Sequence, residues 1–207
     1  MDDDPAVTVT DLSSLFPGGD GPLVVLSGRW VSTAGVVDRR RRARDLLRAG
    51  ASRLWGATAD PVVAARCSTC GGDHGRPVIT DRRTGLWLPG SVTHAGATTL
   101  VALGPAAVGI DAEAVDGDPS RFDAIRQVTG RSAAAVDDGI EALRLWTTVE
   151  AVLKADGRGL EVDPRRVRID GPAGTPGSSA RVGDGPLFAL RGIARDGLVV
   201  TLAVPER

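Results

Sequence analysis

The stretch from Gly139 to Gly157 constrains the fold more than any other part of the chain. Ala142, Trp146, Val149 and Leu153 recur at the spacing that lines one side of an α-helix, and Glu150 and Lys154, four positions apart, stack on the stripe beside them. Asp138-Gly139-Ile140-Glu141 reads as a capping box, with Asp138 as N-cap and Glu141 reaching back to it. Gly157 supplies the stop, because it accommodates a left-handed residue. The spacing therefore predicts a helix from Gly139 to about Asp156 that buries one side and carries Glu150 and Lys154 on its flank.

A second stretch gives that flank its meaning. Val108-Gly109-Ile110-Asp111-Ala112-Glu113 reads as a strand, in which Asp111 and Glu113 point one way while Ala112 and Ala114 point the other. If this strand meets the helix, three carboxylates converge with one ammonium at their edge. Such a set suits a hard divalent cation bound together with a phosphorylated ligand. Lys154 is the one lysine in a chain with 25 Lys and Arg residues in all, so a compact ammonium stands here where the chain otherwise uses guanidinium.

A length of 207 residues allows one large domain or two small ones, and 42% hydrophobic content suffices for a buried core. The net charge of -1 argues against a general nucleic-acid binder. The acidic start Met1-Asp2-Asp3-Asp4-Pro5 lacks a basic region and an apolar run, so it does not read as a signal peptide. No apolar stretch approaches the length of a membrane span. The expectation is a cytoplasmic monomer with neither nucleic acid nor membrane as partner.

Taken in order, residues 1 to 20 end in Pro17-Gly18-Gly19-Asp20 and read as a flexible arm. Leu23 to Val31 has strand character. In the Arg-rich run that follows, Ala43, Leu46, Leu47, Leu54 and Trp55 fall at helical spacing, and the plainest reading of the charged side is a solvated basic face. Cys67-Ser68-Thr69-Cys70, with His74 beyond it, invites a zinc reading. A complete site wants four ligands, so a structural zinc here needs Asp73 or a partner chain, and a structural knuckle is the simpler reading. Redox chemistry fits worse, because Gly71-Gly72 makes a turn where a redox Cys pair normally opens a helix. Pro77 favours an extended exit into Val78-Ile79. A bend at Ala95-Gly96-Ala97 sets His94 beside the strand Thr98 to Leu103. A short helix is expected over Phe122 to Val128, with strands at Arg166 to Ile169, Leu187 to Arg191 and Leu198 to Val204. Gly171 to Gly185 reads as a loop and Asp196-Gly197 as a tight hairpin turn.

Gly109-Ile110-Asp111-Ala112-Glu113, followed by Trp146-Thr147-x-x-Glu150-Ala151-x-x-Lys154-x-x-Gly157-x-Gly159-Leu160, resembles the paired signature of the Sfp-type 4′-phosphopantetheinyl transferases. The likeness is close over residues 74 to 160. It implies an α/β (α+β) fold of two similar subdomains in pseudo-twofold arrangement, each a small mainly antiparallel sheet packed with a long helix, with the active site in the cleft between them. On that reading residues 21 to 104 form the subdomain on the nucleotide side and 105 to 207 the metal-binding, catalytic one. It also implies Mg²⁺ on Asp111, Glu113 and Glu150, with Glu150 and Lys154 as catalytic groups. Coenzyme A is then the co-substrate. Its phosphates fall to Lys154, to Arg76 of Gly75-Arg76-Pro77, to Thr93 and His94 of Ser91-Val92-Thr93-His94-Ala95, and to Arg39, Arg40 and Arg44 as candidates for the 3′-phosphate.

The chain departs from the family pattern in two places. Val149 stands where the family has Lys, and Asp116 to Arg131 is shorter than the family's carrier-docking segment. The reaction implied is Mg²⁺-dependent transfer of phosphopantetheine from coenzyme A to a serine of an acyl or peptidyl carrier protein, releasing 3′,5′-ADP. Two other readings stand beside it: a non-catalytic or weakly active coenzyme A-binding homologue, and a metal-dependent phosphohydrolase using the same carboxylates.

Overall fold

The structure is a computed structural model that describes residues 8–16, 22–30, 36–67, 69–115, 118–130 and 139–206. It is an α+β protein whose chain divides into two compact units, one through Val108 and one from Gly109. Both sheets are antiparallel throughout.

The first unit contains β1 (Thr8–Asp11), β2 (Val24–Arg29), α1 (Val36–Trp55), β3 (Pro61–Ala64), β4 (Val78–Asp81), β5 (Trp87–Ala95) and β6 (Thr98–Leu103). Its sheet runs in the order β1-β2-β6-β5-β4-β3. Leu46, Leu47 and Ala51 of α1 pack into a core with Leu26, Ile79, Leu88, Val101 and Leu103 of the strands. With buried Ala43 and the partly buried Leu54 these positions follow the i, i+3, i+4, i+8, i+11 pattern of one helix face, which is why the Arg-rich run still yields an amphipathic helix. The stretch expected as an arm differs over its described part. Thr8–Asp11 pairs with β2 as an edge strand, and Leu12 and Phe16 are buried beside it. The arm reading missed this because an edge strand with every side chain exposed has no apolar alternation to read. Asp81 closes the β4–β5 turn, accepting from the amides of Asp60 and Arg83 and from the Thr84 hydroxyl at 2.9, 3.2 and 2.6 Å.

The second unit contains β7 (Gly109–Ala114), α2 (Pro119–Thr129), α3 (Gly139–Asp156), β8 (Val167–Asp170), β9 (Ser179–Val182), β10 (Leu187–Arg195) and β11 (Leu198–Pro205). Its sheet runs β7-β11-β10-β9-β8. The predicted bounds of α3 hold, while its expected N-cap Asp138 lies outside the described residues. Leu143, Val149, Val152 and Leu153 of α3 share a core with Phe188, Leu190, Val199 and Ala203. Truncating a fully buried leucine such as Leu153 to alanine costs about 2–5 kcal/mol at sites of this kind. α2 is longer than expected because Asp118 caps it, accepting from the Ser120 amide, with Pro119 in the first turn. The loop expected from Gly171 to Gly185 contains β9, whose buried Ala180 and Val182 alternate with exposed Arg181. Asp196 and Gly197 both take positive φ, 52° and 74°, as a two-residue hairpin turn between β10 and β11 requires.

Gly109 sets the distance between β7 and α3. A Cβ there would stand 1.9 Å from the Ala151 carbonyl oxygen and 2.6 Å from the Ala155 amide nitrogen. Both obstacles are helix backbone, so no rotamer change relieves the clash. Gly109→Ala is expected to destabilise the protein by about 3 kcal/mol or more, at the top of the range for overpacking, read as a lowered urea midpoint at unchanged slope.

Candidate functional site

On β7 the side that meets α3 carries Gly109, Asp111 and Glu113, the alternation expected of a strand. Because Gly109 brings the strand against the helix, Lys154 on the last turn of α3 reaches Asp111. Its Nζ donates to Asp111 Oδ1 at 2.6 Å and to the Ile110 carbonyl at 3.3 Å, and lies 3.3 Å from Glu150 Oε2 one turn back. The Asp111 side chain keeps 4% of its surface, Glu150 20% and Lys154 28%. Two carboxylates therefore share one ammonium at the rim of a packed interface. Behind them the Thr147 and Thr201 hydroxyls pair at 2.8 Å, with Thr201 directly across from Asp111 on β11.

Burial opposes the Lys154 charge and is the largest single influence on it. Asp111 and Glu150 together outweigh that influence, so the ammonium's pKa ends above its ordinary value. Lys154 is thus a fixed positive charge at neutral pH.

Glu113, the third carboxylate of the expected metal set, is turned to another partner. It forms an ion pair with Arg121 in the first turns of α2, and Arg121 also donates to the Ala114 carbonyl at 3.3 Å. In donor type the three carboxylates suit a hard divalent cation, and Asp111 and Glu150 already converge on one cationic centre. Glu113 is paired with Arg121 and is not gathered with them into one ligand cluster. Sequence reasoning missed Arg121, since it lies in the segment read as a departure from the family, and only the α2 cap at Asp118 fixes where it points.

In the first unit, the two-residue bend at Gly96-Ala97 pairs His94 with Thr99, and His94 Nδ1 lies 2.9 Å from Thr99 Oγ1. Thr99 is buried and holds the imidazole ring in place, while His94 itself is exposed. Thr93 is buried and alternates to the opposite face of β5, so these two sequence neighbours are not brought together. Arg76 is half-buried and donates to the Val108 carbonyl at 3.4 Å. On α1, Arg39 and Arg40 are exposed, and Arg44 forms an ion pair with Asp73. The Arg44 hydrogen bond, helped by the charges of Arg44, Arg40 and His74, holds the Asp73 carboxyl below its usual range. Neighbouring Arg42 is buried, its guanidinium 4.9 Å from the Trp30 ring centre.

Cys67, Cys70 and His74 also meet, with one ligand atom from each within 4.8 Å of the others. Amides of Cys70 and Thr69 donate toward the Cys67 sulfur and lower its thiol pKa. Among the described residues no helix is long and apolar enough to cross a membrane. Compared with known proteins, the chain matches no protein-family model and no curated protein.

The Lys154 pair has a testable stability signature. Lys154→Met leaves Asp111 and Glu150 without their shared cation and is expected to cost about 3 kcal/mol, the lower end for breaking a buried pair. Because the folded-state pKa is raised, that contribution is fully present below the ordinary ammonium value of about 10.4 and is lost as pH rises through the folded value. Urea titrations of both proteins from neutral pH to alkaline pH should give a constant difference that shrinks only at the alkaline end.

Proposed function

We propose that this chain is an Sfp-type 4′-phosphopantetheinyl transferase, moving phosphopantetheine from coenzyme A to a carrier-protein serine with Mg²⁺ as cofactor. The observation that carries the reading is the Lys154 ammonium held by both Asp111 and Glu150, the pair of residues named by the two halves of the sequence signature. Each unit, taken by itself, is an antiparallel sheet covered by a long helix, which agrees with the two similar halves of that family.

The chemistry follows from charge. Attack of the serine oxygen on the β-phosphorus of coenzyme A forms one P–O bond and breaks the P–O bond to 3′,5′-ADP, and negative charge builds on the departing oxygen. Lys154 stabilises or protonates that oxygen. Glu150 accepts the serine proton. Asp111 and Glu150, with Glu113 as the third carboxylate, would hold Mg²⁺, whose charge would neutralise and orient the diphosphate. Arg76, His94 and the α1 arginines Arg39, Arg40 and Arg44 serve the nucleotide end. Thr93, buried on the face away from His94, fits a supporting role better than a phosphate contact.

The Glu113–Arg121 ion pair favours a second reading, a coenzyme A-binding homologue with weak turnover or none. Val149 is neutral between the two, because it is buried in the α3 core, where a lysine could not keep its charge solvated.

Mass spectrometry of an apo carrier protein incubated with the chain, coenzyme A and Mg²⁺ tests the proposal. The expected result is a serine-borne gain of one phosphopantetheine that requires Mg²⁺ and falls at least ~100-fold in Glu150→Gln and in Lys154→Ala. Coenzyme A binding without transfer across a varied carrier panel supports the second reading. Coenzyme A hydrolysis without transfer supports a phosphohydrolase.

A further inference from the structure

The segment between β3 and β4 is compact without a core. None of its described residues from Ala65 to Pro77 is buried, yet the backbone is folded on itself. The Cys67 amide donates to Gly72 O at 2.8 Å, the Gly71 amide to Cys67 O at 2.9 Å, and the Gly75 amide to Ala65 O at 2.6 Å. These backbone hydrogen bonds gather the side chains of the turn on one side of it.

The side chains present the parts of a metal site. One atom each from Cys67, Cys70 and His74 lies within 4.8 Å of the other two, and Cys70 Sγ is 3.0 Å from His74 Nε2. Tetrahedral zinc, with bonds of about 2.3 Å to sulfur and about 2.0 Å to nitrogen, puts such a pair roughly 3.5 Å apart, so a small outward shift of the imidazole admits the ion. The peptide groups are arranged for thiolates. The Gly72 amide donates to Cys70 Sγ at 3.4 Å, and the amides of Cys70 and Thr69 donate toward Cys67 Sγ. Hydrogen bonds of this kind to the ligating sulfurs fix them in place and support their negative charge. Two thiolates and an imidazole select a borderline-soft metal and reject Mg²⁺.

We infer that Cys67, Cys70 and His74 bind a zinc ion with water in the fourth position. Asp73 is not the fourth ligand, because its carboxylate is engaged by Arg44 on α1. That ion pair gives the zinc a second consequence: the metal-braced turn holds Asp73 against Arg44 at one end and launches Arg76 at the other. The ligand set stands without the transfer reading; only the use of Arg44 and Arg76 for phosphate depends on it.

The full chain, purified under reducing conditions without chelator, tests the site by metal analysis and by replacing the metal with Co²⁺. The expected result is stoichiometric zinc and a thiolate-to-cobalt charge-transfer band, with both lost in Cys67→Ser and in Cys70→Ser and weakened at least tenfold in His74→Asn. Asp73→Asn retains both. Hydrogen exchange after chelation should rise at least tenfold in the amides from Ala65 to Arg76 and stay unchanged in α3, which separates loss of the metal from general unfolding. Absence of zinc together with absence of a charge-transfer band in the reduced wild-type protein overturns the site, as does loss of metal in Asp73→Asn or a Cys67–Cys70 disulfide that persists in thiol reductant. A chain that binds zinc in full yet transfers nothing overturns the proposed function and leaves the metal site standing.

Discussion

The second unit depends on how closely one strand approaches one helix. β7 lies against α3 at a distance that admits hydrogen and nothing larger at position 109. The register that follows puts Asp111 where the last turn of α3 presents Lys154, and it puts Glu113 where the start of α2 presents Arg121. A carboxylate almost closed to solvent is expensive to ionise unless a cation and hydrogen bonds meet it. Asp111 has both, because the helix backbone is near enough for a four-carbon stem to reach across. Packing thus comes first here, and the charge cluster is possible only because of it.

The cluster is under electrostatic tension of a useful kind. Lys154 balances two carboxylates, so the group carries a net negative charge, and a further cation entering it meets attraction rather than repulsion. Arg121 pairs with Glu113 rather than with this group, so that pair leaves the net charge as it is. A carboxylate has two oxygens, so Glu113 can keep Arg121 on one and offer the other to an incoming ion.

Much of this was legible in the sequence, and the reason differs from element to element. The bounds of α3 were readable because apolar periodicity and Gly157 agree, and the hairpin at Asp196-Gly197 because its backbone demands those residues. The strand alternation that puts Asp111 and Glu113 on one face is a property of any extended chain. What escaped was tertiary. β9 hid in a Gly/Pro/Ser stretch because four residues carry too little pattern, and β1 hid because nothing on it is buried. Arg121 and Thr99 escaped because their roles come from what the fold places opposite them. Thr93 and His94 show the converse: adjacent in a motif, they are separated by the pleat.

The lone lysine has a consequence for chemical reactivity. Acylating and alkylating reagents attack the free amine, and Lys154 is the side-chain amine whose neutral form the surrounding carboxylates suppress. It is also set into the packed end of a helix, where a lysine-specific protease would need the backbone unwound before it could cut. The folded chain should therefore resist both amine labelling and lysine-directed cleavage at its side chains, and the onset of either would report the opening of α3 from β7.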